Sequence, residues 1–182
     1  FGMDDGANVK MDFRYALSDH FDVRLSRTRY EKEWTLGLAY SSTLNDYSNY
    51  VLMIDGFSYK VNEDRRQNVV PVLGLNFPHL VSTLTPSVML AYDGYHETLG
   101  SGLGLEWGIM DAVSWITEYY TSNNRYGLKN AWLSGVKVET FGHRFEVYVH
   151  NAPQQLHFRR LLLGTPEDEL YLGFRISRLL EF

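Results

Sequence analysis

Apolar and polar residues alternate along most of the chain, and this period of two constrains the fold more than any other feature. In the first such segment Val9, Met11, Phe13, Tyr15 and Leu17 are apolar, and polar or small residues separate them. Successive side chains of a β-strand point to opposite faces of the sheet, so each segment predicts a strand with one apolar face. Eleven segments follow or approach this pattern, and no helix of useful length competes with them. The sequence predicts an all-β protein.

Composition limits the size of the molecule and excludes several functions. The 182 residues are predicted to form one domain, residues 1–182, and 45% hydrophobic content can fill a large core or cover a large surface. A net charge of −5 with interspersed signs provides no basic stripe, so we expect no nucleic-acid partner. The absence of cysteine excludes disulfides and thiol chemistry. No apolar run approaches the roughly 20 residues of a transmembrane helix, so only strands could cross a membrane.

The predicted connections between strands alternate in length. Short turns are predicted at residues 18–20, 78–80, 110–112 and 141–143, and longer loops at 27–33, 61–68, 93–102, 121–130 and 151–169. Outer-membrane barrels have this asymmetry, with short periplasmic turns, longer external loops and an even number of strands. If the last strand ends in the periplasm, the first of eleven up-and-down strands must begin on the external side of the membrane. We therefore predict an antiparallel up-and-down transmembrane barrel of about twelve strands, eleven in this chain and one N-terminal strand missing from it.

Alternation alone leaves open which face meets water. A soluble barrel directs its apolar face inward, and a membrane barrel directs it outward. The polar faces here carry many small residues, which suit a crowded interior, and the apolar faces carry aromatic residues near both strand ends, as bilayer interfaces favour. The final residue, Phe182, continues the apolar face of the last strand and resembles the signal read by barrel-insertion machinery. These features predict a bacterial outer-membrane location, with outer-membrane lipid and the insertion machinery as partners.

Three stretches resemble a known family. They are ALSDHFDVRLSRTRYEKEWTLGLAY (residues 16–40), VKVETFGHRFEVYVHN (136–151) and LYLGFRISRLLEF (170–182). The hairpin followed by Ser-Arg, the ETxGHxF turn and the GFxISR ending are similar to an uncharacterised family of exported β-barrels, a domain of unknown function of Bacteroidetes-type Gram-negative bacteria. The resemblance implies a barrel with a further strand before FGMDDGAN, the first eight residues, and it implies no catalytic residue or ligand.

The predicted interior carries charges of both signs. On the strand register read from the sequence, its titratable residues are Lys10, Asp12, Arg14, Asp22, Arg24, Glu106, Glu118, Lys137, Glu139, Glu146, His150 and Arg175. Buried charges must be paired or stay hydrated, and twelve strands lie between barrels filled by side chains and those that hold a channel. We expect a salt-bridged, closed interior and a structural or anchoring role in a membrane assembly. A narrow polar channel for small solutes is the alternative.

Catalysis is the third class of function. Some membrane barrels are lipid hydrolases or acyltransferases, whose chemistry requires a nucleophile and a histidine base. The sequence contains no Gly-x-Ser-x-Gly turn, and no two histidines have metal-ligand spacing. His150, on a predicted strand beside Glu146 and Tyr148, is expected to be an interior hydrogen-bonding residue. We expect no enzymatic activity, metal or cofactor, with a lipid-modifying enzyme as the distant alternative.

The segment NAPQQLHFRRLLLGTPEDE is a predicted loop that is rich in apolar and basic residues. A surface loop without a binding role is expected to be polar. Its central residues are His157, Phe158, Arg159 and Arg160. One interpretation is a loop folded over the mouth of the barrel. The other is a docking surface for a partner protein, which would make the barrel an anchor.

Overall fold

Eleven antiparallel strands form a single sheet. The computed structural model describes residues 9–29, 32–61, 64–78, 83–123, 129–152, 162 and 170–178. The strands are β1 (Lys10–Ala16), β2 (Phe21–Thr28), β3 (Trp34–Asn45), β4 (Ser48–Val61), β5 (Asp64–Asn76), β6 (Leu84–Asp93), β7 (Thr98–Met110), β8 (Val113–Ser122), β9 (Ala131–Thr140), β10 (His143–His150) and β11 (Tyr171–Arg178). Each strand pairs with its neighbours along the chain, so the prediction of an all-β, up-and-down sheet is confirmed. None of the described residues lies in a helix long and apolar enough to cross a membrane.

The two faces of the sheet differ in burial. On one face polar and small side chains are buried, with Asp55 and Ser26 each at 1% exposure, together with several apolar ones such as Val70. On the other face large apolar side chains remain exposed, such as Leu36 at 61% and Leu103 at 60%. Apart from Leu162, the described residues contain no second layer over the buried face, so its side chains must bury one another. This requires the sheet to curl around them, which creates an interior and an apolar outer surface.

Aromatic side chains form pairs on the outer surface near both ends of the strands. Trp107 lies directly opposite Trp115 beside the tight turn between β7 and β8. At the other end Tyr119 lies opposite Trp132, and Asn130 donates a hydrogen bond to the Tyr119 hydroxyl at 2.7 Å. Cross-strand aromatic pairs stabilise a sheet and suit the two interfaces of a bilayer.

The connections differ from the predicted pattern in several places. A two-residue turn, residues 46 and 47, connects the end of β3 at Asn45 with the start of β4 at Ser48. The long loop predicted at residues 61–68 is wrong, because Val61 and Asp64 still pair across the β4–β5 hairpin. The tight turn predicted at 78–80 is also wrong, since β5 ends at Asn76 and β6 begins only at Leu84. Residues 64–68 are polar on both faces, so they show no apolar alternation, although their backbones still form the ladder.

Two prolines lie inside strands and mark the ends of a short ladder. Proline has no N–H and cannot donate to a ladder, so it is usually found at an edge or bulge. Here β5 and β6 share five residue pairs, from Val72 with Ala91 to Asn76 with Ser87. Pro71 and Pro86 come directly before and after these pairs. Neither proline is among the five paired residues, and just beyond them the Pro86 carbonyl accepts a hydrogen bond from the Phe77 N–H at 3.0 Å.

The first and last strands are the edges of the sheet. Among the described residues β1 pairs only with β2 and β11 only with β10, so the sheet is not closed by a β1–β11 ladder. A direct ladder between these two strands would have contradicted the prediction of a twelfth strand. That strand stays a prediction.

Candidate functional site

Arg24 and Asp55 form a buried ion pair in the interior. They lie on β2 and β4, on either side of β3, and Arg24 Nη2 donates to Asp55 Oδ2. The Asp55 side chain is 2% exposed and that of Arg24 is 18% exposed. Gly37 of β3 lies between them in the same row, and a Cβ there would overlap the Asp55 side chain. The glycine leaves the space in which the two charges meet.

A second ion pair connects β1 with β2. Arg14 donates to Asp22 with both Nε, at 2.7 Å, and Nη2, at 2.6 Å. This bidentate geometry gives the strongest ion pair that a guanidinium and a carboxylate form. On β1 itself, Lys10 Nζ lies 2.9 Å from Asp12 Oδ2. The inward-facing charges of β1 are thus all matched by charges of opposite sign.

Lys137 is the centre of a third group of charges. Its Nζ contacts Glu106 across β8 and lies 3.3 Å from Glu139 on its own strand. Arg144 of β10 is 2.8 Å from the same Glu139 carboxylate. The Lys137 side chain is 8% exposed, while the Glu139 and Arg144 side chains are about half exposed. This group extends from the interior to the end of the barrel that carries the tight turns.

The remaining predicted interior residues lie on β8, β10 and β11. Glu146 is buried and paired with Arg175 at 3.0 Å. Glu118 accepts a hydrogen bond from the Tyr120 hydroxyl. The His150 ring lies between two tyrosine rings, with centroid distances of 5.5 and 5.7 Å. The strand register places all twelve predicted interior residues on the inward-facing rows.

Sequence reasoning missed Asp55, which is the more buried partner of Arg24. The run from Val51 to Ile54 is continuously apolar, so the register of β4 could not be read from alternation alone. The structure places Leu52 and Ile54 outward, which directs Asp55 inward. A signal was present in Gly37, because a glycine in a strand often marks a close approach by another group.

An apolar layer fills the interior toward the other end of the barrel. Leu162, from the long segment between β10 and β11, is fully buried. It packs against inward-facing side chains of β4, β5 and β6, which are Phe57, Tyr59, Val70, Val72 and Ala91. Met53 and Met89 pack at the margin of this cluster. Part of the long segment therefore enters the barrel and occupies its interior.

Tyr148 fills the space above two glycines. Gly135 and Gly173 lie opposite it on the neighbouring strands, and a Cβ at either position would overlap the tyrosine. Tyr148 is 4% exposed. A large aromatic ring packed over glycines fills an interior and fixes strand register.

Asp93 and His96, at the turn between β6 and β7, form a carboxylate–imidazole pair that resembles part of a catalytic dyad. Asp93 Oδ2 lies 2.8 Å from His96 Nδ1. Asp93 Oδ1 also accepts from the backbone N–H groups of Tyr95 and His96 and from Asn68 Nδ2, at 2.9, 3.0 and 2.7 Å. These bonds close the turn between β6 and β7, so the pair has a structural role. The described ranges contain no group of three or more His, Asp or Glu side chains arranged to hold a metal ion.

Two predicted sites fall outside the described residues. They are the docking segment, His157, Phe158, Arg159 and Arg160, and the insertion signal at Phe182.

Comparison with known families identifies the fold. A family described as a membrane-bound beta-barrel domain, DUF5777, matches residues 1–69 and 75–180. The chain belongs to this family. No curated protein and no solved structure matches the chain significantly. As a DUF5777 barrel it is membrane-bound, so its outer apolar surface faces lipid and the soluble barrel is excluded.

Proposed function

We propose that this protein is a structural barrel of the bacterial outer membrane whose closed interior lets it anchor a membrane assembly. The proposal rests on one observation, which is that two kinds of side chain fill the interior. Leu162 and its apolar neighbours occupy one level, and paired charges occupy the other. A barrel filled in this way provides rigidity without a path for solutes.

The paired charges support a closed interior over a channel. A conducting pore needs charged groups that contact passing ions and water. Asp55 and Lys137 are more than nine-tenths buried and are already neutralised by Arg24 and Glu106. An outer-membrane location is supported by the membrane-bound family and by the aromatic pairs at both strand ends. The proposal assigns no catalytic step to the protein.

Conductance in planar bilayers tests the closed interior. We expect the purified full-length protein to give no steady single-channel steps at 100 mV, while a general porin in the same bilayers conducts. The protein should remain silent when Lys137 is changed to Gln. Steady steps with an ion selectivity that differs between the parent protein and Lys137→Gln would establish the small-solute channel instead.

Photo-crosslinking in intact cells tests the anchoring role. A crosslinking amino acid at Phe158, in the basic and apolar segment, should give one discrete protein adduct. Phe141 lies in the tight turn at the opposite end and is fully exposed, so it provides the matched control. Adducts at neither position, or equally at both, would contradict a partner at the long segment.

A further inference from the structure

On the outward-facing rows of the described strands, the charged residues are all basic. In the described strands, each Asp and Glu lies on an inward-facing row, and the outward-facing charged residues are Arg27, Lys60, Arg65 and Arg178. Arg178 lies near the tight-turn end of β11. The other three lie together at the opposite end, on β2, β4 and β5. One interface of the barrel thus has a local basic cluster on its lipid-facing side.

A groove lies directly below this cluster. It has a volume of about 550 Å³, and its outward-facing lining residues are Leu25, Trp34, Leu36, Gly56, Ser58, Gln67 and Val69. Gly56 is the outward-facing glycine of the described strands, since Gly37, Gly74, Gly100, Gly102, Gly104, Gly108, Gly135 and Gly173 face the interior. The missing side chain leaves an apolar notch between β3 and β5.

Two arginines touch the lining of the groove. Arg65 Nη1 donates to Ser58 Oγ at 2.9 Å. The Arg27 guanidinium carbon lies 5.0 Å from the centroid of the Trp34 ring. Within the described part of the chain neither arginine forms an ion pair with a carboxylate. Lys60 lies directly opposite Arg65 and is the third basic residue at this end of the barrel.

We propose that this groove binds an anionic lipid, with the lipid phosphate against Arg27 and Arg65 and one acyl chain in the notch at Gly56. The groove opens on a surface that faces lipid in a membrane-bound barrel. Guanidinium groups bind phosphate oxygens with two parallel hydrogen bonds. Leu36 and Val69 flank Gly56 in the same row and provide apolar walls for the chain. The site is independent of whether the interior conducts.

Native mass spectrometry of the full-length protein in detergent micelles tests the site. The probe is dioleoyl phosphatidic acid, and the two comparison ligands are dioleoylglycerol, which lacks the phosphate, and glycerol 3-phosphate, which lacks the chains. We expect one retained phosphatidic acid and no retained comparison ligand. Arg27→Ala and Arg65→Ala should each weaken retention about fivefold, the effect of one basic residue near an anionic lipid surface.

Matched variants separate a built site from general charge attraction. Arg178→Ala removes one outward-facing arginine at the opposite interface and should leave retention unchanged. Gly56→Leu fills the notch, and its Cβ would lie at an ordinary 3.6 Å from the Leu36 carbonyl oxygen, so the barrel should still fold. This variant should abolish retention, while Ser101→Leu, on the outward face of β7, should not. Equal losses in Arg65→Ala and Arg178→Ala, or full retention in Gly56→Leu, would overturn the proposal.

Discussion

The ion pair of Arg24 with Asp55 illustrates how a single side chain affects the whole interior. Folding removes both charges from water, which costs desolvation free energy. Their mutual attraction offsets this cost only while both are present. Gly37 permits the contact because it has no Cβ. The stability of this part of the barrel depends on three residues from three adjacent strands.

A double-mutant cycle measures that dependence. Arg24→Leu and Asp55→Leu should each lower the free energy of unfolding by about 3–5 kcal/mol, because each leaves an uncompensated buried charge. The double variant should lose much less than the sum. Urea unfolding in lipid vesicles provides the measurement, and Arg144→Ala, whose ion pair with Glu139 is half exposed, should cost only about 0.2–1 kcal/mol. Additive losses would mean that the two charges do not interact.

The sequence predicts which charges face inward wherever alternation is regular. It places Arg14, Asp22 and Arg24 on the interior face because apolar residues separate them. It does not predict Asp55, because a continuous apolar run precedes it, or the partner of any charge. Ion pairs such as Arg24 with Asp55 cross an intervening strand, and that geometry depends on how strongly the sheet curls.

At the scale of the strand, alternation predicts where strands occur better than where they end. Side chains alternate for as long as one face meets lipid, whereas the backbone ladder continues wherever N–H and C=O groups can pair. For this reason β5 includes residues 64–68, which are polar on both faces, and it pairs with β4 as far as Asp64 with Val61. The apolar pattern ends several residues earlier.

Arginine substitutions test which strand face meets lipid. Leu105 and Val147 lie outward and near the middle of β7 and β10. Arg at either position should cost about 2–4 kcal/mol of unfolding free energy, because the charge would lie near the bilayer midplane. Thr121→Arg, outward but near the end of β8, should cost about 0–1 kcal/mol. Similar values at all three positions in vesicle unfolding experiments would contradict the depth assignment.

At the scale of the whole molecule, the two edge strands pose a physical problem. In hydrocarbon each unpaired backbone N–H or C=O group costs several kcal/mol, so a lipid-exposed sheet edge is not stable. The edges of β1 and β11 must therefore pair with each other or with a further strand. We predict a twelfth strand between them, since an even number places both ends of a barrel chain on one side of the membrane.

Engineered cysteines distinguish these two arrangements. The chain has no native cysteine, so every disulfide would be introduced. In the full-length protein, Phe13→Cys should not crosslink with Cys at Leu172, Phe174 or Ile176, because an intervening strand separates them by about 9–10 Å. Cys at Val147 and Phe174, which pair across β10 and β11, should crosslink readily as the control. A disulfide from Phe13→Cys to β11 would show that eleven strands close directly.

The short ladder between β5 and β6 makes one seam of the barrel weaker than its neighbours. Five residue pairs join these strands, whereas thirteen join β4 to β5. Under a stretching force the barrel wall should open first along residues 72–76, between β5 and β6, while the other ladders remain paired. We expect the amide protons that bond between β5 and β6 to exchange with solvent sooner than those in the middle of the β4–β5 hairpin, and slower exchange would contradict this. The short ladder, with one proline near each end, thus marks the place where the barrel wall would open first.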